Sequence, residues 1–357
     1  MSLKKLTPIV ICVLIFFVSG IYTPADQPDW NKEMATATAA GRRGEYSSAI
    51  TLYKRAIESQ KKALGPEDVE VAASLNNLAV LYQDESLYTE AEPLYRDSLA
   101  IWAKHPGEGI QVALCLNNLA ALHHDENMDS AAEAEYKNAL AIWEKAGMGE
   151  SSDAAATLAG LADIYRSRDK RTDAEPLYKR VLAIWEKNRK MESPEATGAL
   201  LVLADIYHAE NRDAEAKPLY IRAVETRENI GELDAPDTTA ALGKLGEIYS
   251  SEGNYAAAEP YFAQTLEITE HKLGPNSLAV ADRASRLALL FYCESKYSAA
   301  EPLYKRAMQI RELNLGPADP VVLQTVQFYG ALLRQEGRKS EAQKIEARSG
   351  KIQVDNP

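Results

Sequence analysis

The chain has 357 residues, of which 26% are charged and 46% hydrophobic, and its formal net charge is −12. This composition is that of a globular protein. The acidic balance speaks against nucleic acid, whose phosphates need basic neutralisation, and against adhesion of the folded part to anionic lipid.

The chain opens MSLKKLTPIVICVLIFFVSGIYTPADQ. Lys4 and Lys5 precede an apolar run from Pro8 to Val18, and small residues follow, which is the layout of a secretory signal peptide. Cleavage after Gly20 or Ala25 fits, and so does an uncleaved signal anchor, although the run is short for a spanning helix. Residues 1–25 are therefore expected to export the protein to the periplasm or medium, or to tether it to the cytoplasmic membrane. A linker, 26–32, follows.

From 33 to 349 the sequence repeats. Pro93, Pro176, Pro218, Pro260 and Pro302 mark a 42-residue step, with Ala134 filling the vacant slot. An aromatic stands two residues after each slot: Tyr95, Tyr136, Tyr178, Tyr220, Phe262 and Tyr304, with Tyr53 one period earlier. A fixed period of this length signals stacked repeats. Within a unit, Leu75, Leu78 and Tyr82 share one face of a first helix, A. After a short polar turn, Ala91, Tyr95, Ser98 and Trp102 share one face of a second, B. The prolines are expected in the first turn of helix B, where a missing N–H costs nothing. The acid before four of them (Glu92, Glu175, Glu259, Glu301) suits the positive end of the helix.

The units are expected at roughly 33–73, 74–114, 115–156, 157–198, 199–240, 241–282 and 283–325, with a degenerate cap at 326–349 and a tail at 350–357. Thr36 and Ala40 at one end, and Lys339, Lys344 and Glu346 at the other, replace core residues of the repeat, as end caps require.

Trp102, Trp143 and Trp185 continue the helix B stripe and read as core. His123 takes the slot of Tyr82 and reads as a packed imidazole. Cys115 and Cys293 lie more than four units apart, so no disulfide is expected. The chain carries no GxGxxG, GKS/T or GxSxG motif and no CxxC. No catalytic residue, cofactor or metal is expected.

The unit LNNLAVLYQDESLYTEAEPLYRDSLAIWAK resembles the tetratricopeptide repeat, in the 42-residue form of kinesin light chains and of bacterial proteins of similar build. The marks are LNNLA (75–79, 116–120), AEPLYKR (174–180, 300–306) and LGP (64–66, 273–275, 315–317). The resemblance implies an all-α fold: a right-handed superhelical solenoid of stacked antiparallel helix pairs, with helix A lining the concave side. The motor-associated members carry a heptad coiled coil before the repeats; here a signal-like segment stands in that place, so cargo transport is not expected.

The resemblance also implies a non-enzymatic scaffold that binds a protein or peptide partner in its groove, with no small-molecule substrate and no membrane contact beyond an uncleaved N-terminus. A self-associating assembly factor and a regulatory subunit of an envelope enzyme complex are the alternatives. The positions expected to face the groove give a strip of Asn76, Asn77, Gln83, Asn117, Asn118, His124, Asp163, Arg166, Asp205, His208 and Glu247, continued by Arg286, Tyr292 and Arg334. Paired asparagines can clasp a peptide backbone, since each offers donor and acceptor. Asp163, Asp205 and Glu247 form an acidic stripe suited to a basic segment.

Overall fold

A computed structural model describes residues 29–354. The expected signal segment and residues 26–28 of the linker lie outside the described residues; residues 29–32, expected as linker, are the first turn of α1. Among these there are sixteen α-helices and no strand: α1 (Asp29–Arg42), α2 (Tyr46–Leu64), α3 (Val69–Asp84), α4 (Tyr88–Trp102), α5 (Gly109–Asp125), α6 (Asp129–Lys145), α7 (Ser152–Ser167), α8 (Arg171–Lys187), α9 (Pro194–Ala209), α10 (Asp213–Asn229), α11 (Pro236–Ser251), α12 (Tyr255–Leu273), α13 (Leu278–Cys293), α14 (Tyr297–Leu315), α15 (Pro320–Gln335) and α16 (Lys339–Val354). Odd helices are the A helices and even ones the B helices. The helices pack pairwise in repeat order, and the chain divides within α9 into two compact units, one closing at Ala199 and one opening at Leu200.

In the first unit the pairs are built alike. Ala91, Ala132 and Ala174 are fully buried, and Tyr95, Tyr136 and Tyr178 one turn later are buried too. The small residue lets the backbones approach, and the ring four residues on fills the space between pairs. The second unit repeats this with Ala216, Ala258 and Ala300 ahead of Tyr220, Phe262 and Tyr304. Trp102, Trp143 and Trp185 are buried at the end of helix B, as expected. Cys115 and Cys293 are both free thiols; burial pushes the Cys115 thiol up to about 12.

Each A helix begins four to six residues before the expected unit boundary. The reason is visible at the caps. Asp68, Ser151, Ser277 and Asp319 accept hydrogen bonds from the backbone N–H of Glu70, Ala154, Val280 and Val321, and such side chains open helices where they stand. LNNLA is therefore the middle of helix A. The last helix also runs on, to Val354.

The prolines likewise sit deeper than expected. Helix B starts at Tyr88, Arg171, Asp213, Tyr255 and Tyr297, so Pro93, Pro176, Pro218, Pro260 and Pro302 are each its sixth residue. The A–B turn is tighter than a polar loop. At α3–α4, Ser86 adopts φ 61° and Leu87 N–H closes the turn on Tyr82 C=O at 2.8 Å, a helix end of the Schellman kind. Helix B then begins at once. A proline inside a helix removes one hydrogen bond and crowds the carbonyl four residues earlier. Here every such proline is exposed, and so is the residue four before it (Thr89, Thr172, Ala214, Ala256, Ser298). The released carbonyl turns to water, which lowers the cost. Three of the acids before the prolines pair with a cation one turn later, Glu92 with Arg96, Glu175 with Lys179 and Glu301 with Lys305, whereas Glu259 pairs with Lys296.

Candidate partner-binding faces

In the first unit α3, α5 and α7 lie side by side. Their polar residues form a linked cluster. Asn76 and Asn117 are half-buried, while Asn77 and Asn118 are each only 8% exposed. Asn76 donates to Asn77 Oδ1 (3.4 Å) and Asn118 donates to Asn76 Oδ1 (3.2 Å), which ties α5 to α3. Asn117 Oδ1 is buried without a hydrogen-bond partner among the described residues. A buried carbonyl left unpaired is costly and invites a donor.

Gln83 departs from the expected strip. It is 4% exposed; Tyr95 donates its hydroxyl to Gln83 Oε1 (2.9 Å), and Gln83 Nε2 donates to Asp125 Oδ2 (3.2 Å). Gln83 is buried with both ends of its amide used inside the fold, so it presents no atom to a ligand. Beside it, Asp84 is half-buried, and burial next to Glu85 pushes its carboxyl up to about 6. His124 lies at the end of α5 with Nδ1 2.8 Å from Asp129 Oδ1 at the start of α6, so it clasps the A–B turn. Its neighbour His123 is 2% exposed and packed, as expected, with Nδ1 2.7 Å from Glu135 Oε2. Asp163 accepts from the Tyr178 hydroxyl (2.7 Å) and from Arg166 Nη2 (2.9 Å).

The second unit carries Asp205, His208 and Glu247. Asp205 accepts from the Tyr220 hydroxyl (2.5 Å) and from Lys244 Nζ (2.6 Å) on the next A helix. Glu247 pairs with Arg286, again one A helix on. His208 repeats the clasp of His124, with Nδ1 2.6 Å from Asp213 Oδ1. Arg334 pairs with Glu346, and the Tyr292 ring lies 5.7 Å from that of Tyr297.

The acidic stripe is therefore corrected. Asp163, Asp205 and Glu247 each have a cation of their own, and two of them also hold a tyrosine of helix B. What the second unit shows is a ladder of neutral rungs, Asp205–Lys244 and Glu247–Arg286. The periodicity of one helix cannot reveal it, because each rung joins residues 39 apart on different helices. Lys244 is the residue the strip missed.

A wide depression of about 740 Å³ opens at the α1–α2 turn, lined by Gly44, Tyr46, Leu52 and Glu85 among others, and no strip residue lines it. Among the described residues no group of three or more His, Cys, Asp or Glu is placed to hold a metal ion, and no helix is long and apolar enough to cross a membrane.

Comparison with known proteins fits these helix pairs. A tetratricopeptide repeat model matches residues 34–104, 70–137, 111–187 and 195–271, and two further tetratricopeptide repeat models match 280–321 and 159–229. No curated protein matches the chain. Among solved structures, the signal-transduction ATPase with a tetratricopeptide repeat sensor from Pyrococcus horikoshii aligns over 93% of this chain and 50% of its own, at 14% identity and TM-score 0.59. Aspartyl phosphate phosphatase F from Bacillus subtilis aligns over 81% of this chain and 71% of its own, at 17% identity and TM-score 0.54. BtubC (BKLC) from P. vanneervenii aligns over 62% of this chain and 90% of its own, at 23% identity and TM-score 0.47. At these identities the likeness is one of fold. With its repeat model matched over more than half of the sequence, the chain belongs to the tetratricopeptide repeat family.

Proposed function

We propose that the protein binds a peptide or a helical segment of a protein partner on the exposed faces of its A helices. Tetratricopeptide repeat proteins are in general protein-binding scaffolds, and the matching models are all of that repeat. The observation that carries the finer reading is Asn117. Its Oδ1 is buried and unpaired on a strip whose other asparagines are hydrogen-bonded to one another. A rotation of the half-exposed Asn117 side chain would bring Oδ1 to a backbone N–H laid along α5, while the half-exposed Asn76 keeps a second amide N–H and a second lone pair for another polar contact. The basic and apolar start of the sequence supports placing this activity outside the cytoplasmic membrane, with the scaffold free or tethered.

The test is selection of peptides from a displayed library on the full chain, followed by affinity measurement on wild type and on N76A/N117A. Selected peptides that bind the folded variant at least tenfold more weakly support the reading. Peptides that bind both equally remove these asparagines from the site. A chain that selects nothing, and whose sedimentation shows it associating with itself, points to an assembly factor.

A further inference from the structure

In the second unit the neutral ladder does not continue. Its acids, Asp205 and Glu247, stand 42 residues apart, and so do its cations, Lys244 and Arg286. One period on, the acid position is Leu289 and the cation position is Phe328. Both are 44% exposed, far more than core residues of their size. The register is unbroken: Lys244 Nζ lies 5.7 Å above the Tyr220 ring, and the Phe328 ring stacks on Tyr304 at 6.5 Å and 21°.

The tyrosine beneath confirms that the rung has changed character. Tyr220 gives its hydroxyl to Asp205. Tyr304, 1% exposed, finds Leu289 where that acceptor would be, and its hydroxyl forms no hydrogen bond to a described residue. The ring is buried, but its hydroxyl is not among the buried polar atoms left unpaired, so it reaches the surface and is open to a ligand.

Resting on the peptide-binding reading above, we propose that this apolar rung anchors a neutral peptide segment of a partner protein through one large apolar side chain, of Leu, Phe or Met type, seated on Leu289 and Phe328. The segment's backbone would meet the Tyr304 hydroxyl, which can donate and accept. Charge decides the class of segment. The two rungs beside the anchor each sum to zero, so they offer a charged peptide no net attraction, and desolvating its charges would cost affinity. A second copy of the chain is a poorer occupant: two side chains fall far short of the roughly 800 Å² per partner of a stable interface.

The experiment uses the full chain and a phage-displayed random dodecapeptide library. The decisive variant is L289D/F328K, which rebuilds the rung in the pattern of Asp205–Lys244 and returns an acceptor to Tyr304, so the fold is expected to hold. Leu289→Ala and Phe328→Ala singly serve if it does not. Wild type is expected to enrich peptides with a large apolar residue among uncharged neighbours. Once resynthesised, these should bind L289D/F328K at least tenfold more weakly, whether or not they also lose affinity for N76A/N117A. Enriched peptides that lose affinity only for N76A/N117A overturn this proposal and leave the general reading standing. Failure to enrich any peptide overturns both. Self-association of wild type that L289D/F328K abolishes assigns the rung to a second copy and also overturns the proposal.

Discussion

Arg311 tests whether the repeat register, rather than residue type, governs what a buried position must do. It stands at the end of α14, where the first unit has Trp143, and it is 8% exposed. Trp143 donates its indole N–H to Thr157 Oγ1 at 3.2 Å. Arg311 donates Nη1 to Thr325 Oγ1 at 2.6 Å, fourteen residues on in each case. It also reaches Ser285 Oγ (3.0 Å) and Asp282 Oδ1 (2.5 Å), while its Nε is buried without a partner. Arg311→Ala removes two hydroxyl bonds of about 1 kcal/mol each and about 2 kcal/mol of buried methylene stem. The Asp282 pair adds less than about 1 kcal/mol because that carboxylate is well exposed. Relief of the unpaired Nε returns about 1–2 kcal/mol. The net loss is then about 3 kcal/mol. Arg311→Trp, by contrast, places an N–H within reach of Thr325 and removes a buried charge, so its cost is expected to stay below about 1 kcal/mol. Hydrogen exchange read on α14 and α15 peptides measures the local stability directly, which suits a repeat array better than a single unfolding midpoint. The new indole should also resist iodide quenching. Equal destabilisation by both substitutions would refute the register argument.

Three further predictions follow from individual contacts. A Cβ at Gly160 would lie 2.4 Å from Tyr136 Cζ, so Gly160→Ala should cost about 1–3 kcal/mol of overpacking less about 1 kcal/mol of helix propensity; thermal unfolding should show a lower midpoint, and a raised one would contradict the clash. Asp84 holds its proton more tightly when folded, at about 6 against an ordinary 3.8. Its contribution is present below pH 4 and lost as pH rises through 6, so Asp84→Asn should flatten the decline of stability across that window. Glu301 has the opposite sign: Arg338, Lys305 and the Tyr329 hydroxyl hold its carboxyl down at about 2. The stability it supplies is present above pH 4.5 and lost as pH falls towards 2, so Glu301→Gln should make urea midpoints less sensitive to acid.

The repeat was legible because its period and its buried aromatics are sequence properties: Tyr95 and its equivalents announce helix B wherever they recur. Helix starts were readable too, through Asp68, Ser151, Ser277 and Asp319, but only to an eye on caps rather than on the LNNLA word. The strip was legible only in part. That Asn76 and Asn117 stay half-exposed follows from helix periodicity. That Gln83 turns inward depends on where the Tyr95 hydroxyl lands, which the pitch between two helices decides. The rungs Asp205–Lys244 and Glu247–Arg286 need the offset between neighbouring A helices, a quantity no single helix contains.

That offset, once known, turns the sequence into a grid in which chemistry can be followed one position at a time. At the helix B end the column runs Gln60, Trp102, Trp143, Trp185, Arg227, Thr269, Arg311. Six of the seven carry an N–H at the tip, although their sizes and charges differ widely. Gln60 accepts from Ser74 (2.7 Å) where Trp143 and Arg311 donate to threonine, so the polar contact persists while its direction changes. Arg227 lacks a hydroxyl opposite, because Ala241 stands there, and it pairs instead with Glu232 and Asp237. Where a tip in this column is hydrogen-bonded, its partner is whatever lies within reach: a hydroxyl of the next helix, nearby acids or, for Thr269, the Thr265 carbonyl of its own helix (2.6 Å). The A-helix face that carries the rungs is freer still, since a salt bridge and an apolar pair both leave the scaffold intact. Freedom of that kind is what allows a repeat face to acquire specificity: Leu289 and Phe328 change what the surface can hold without changing how the helices stack.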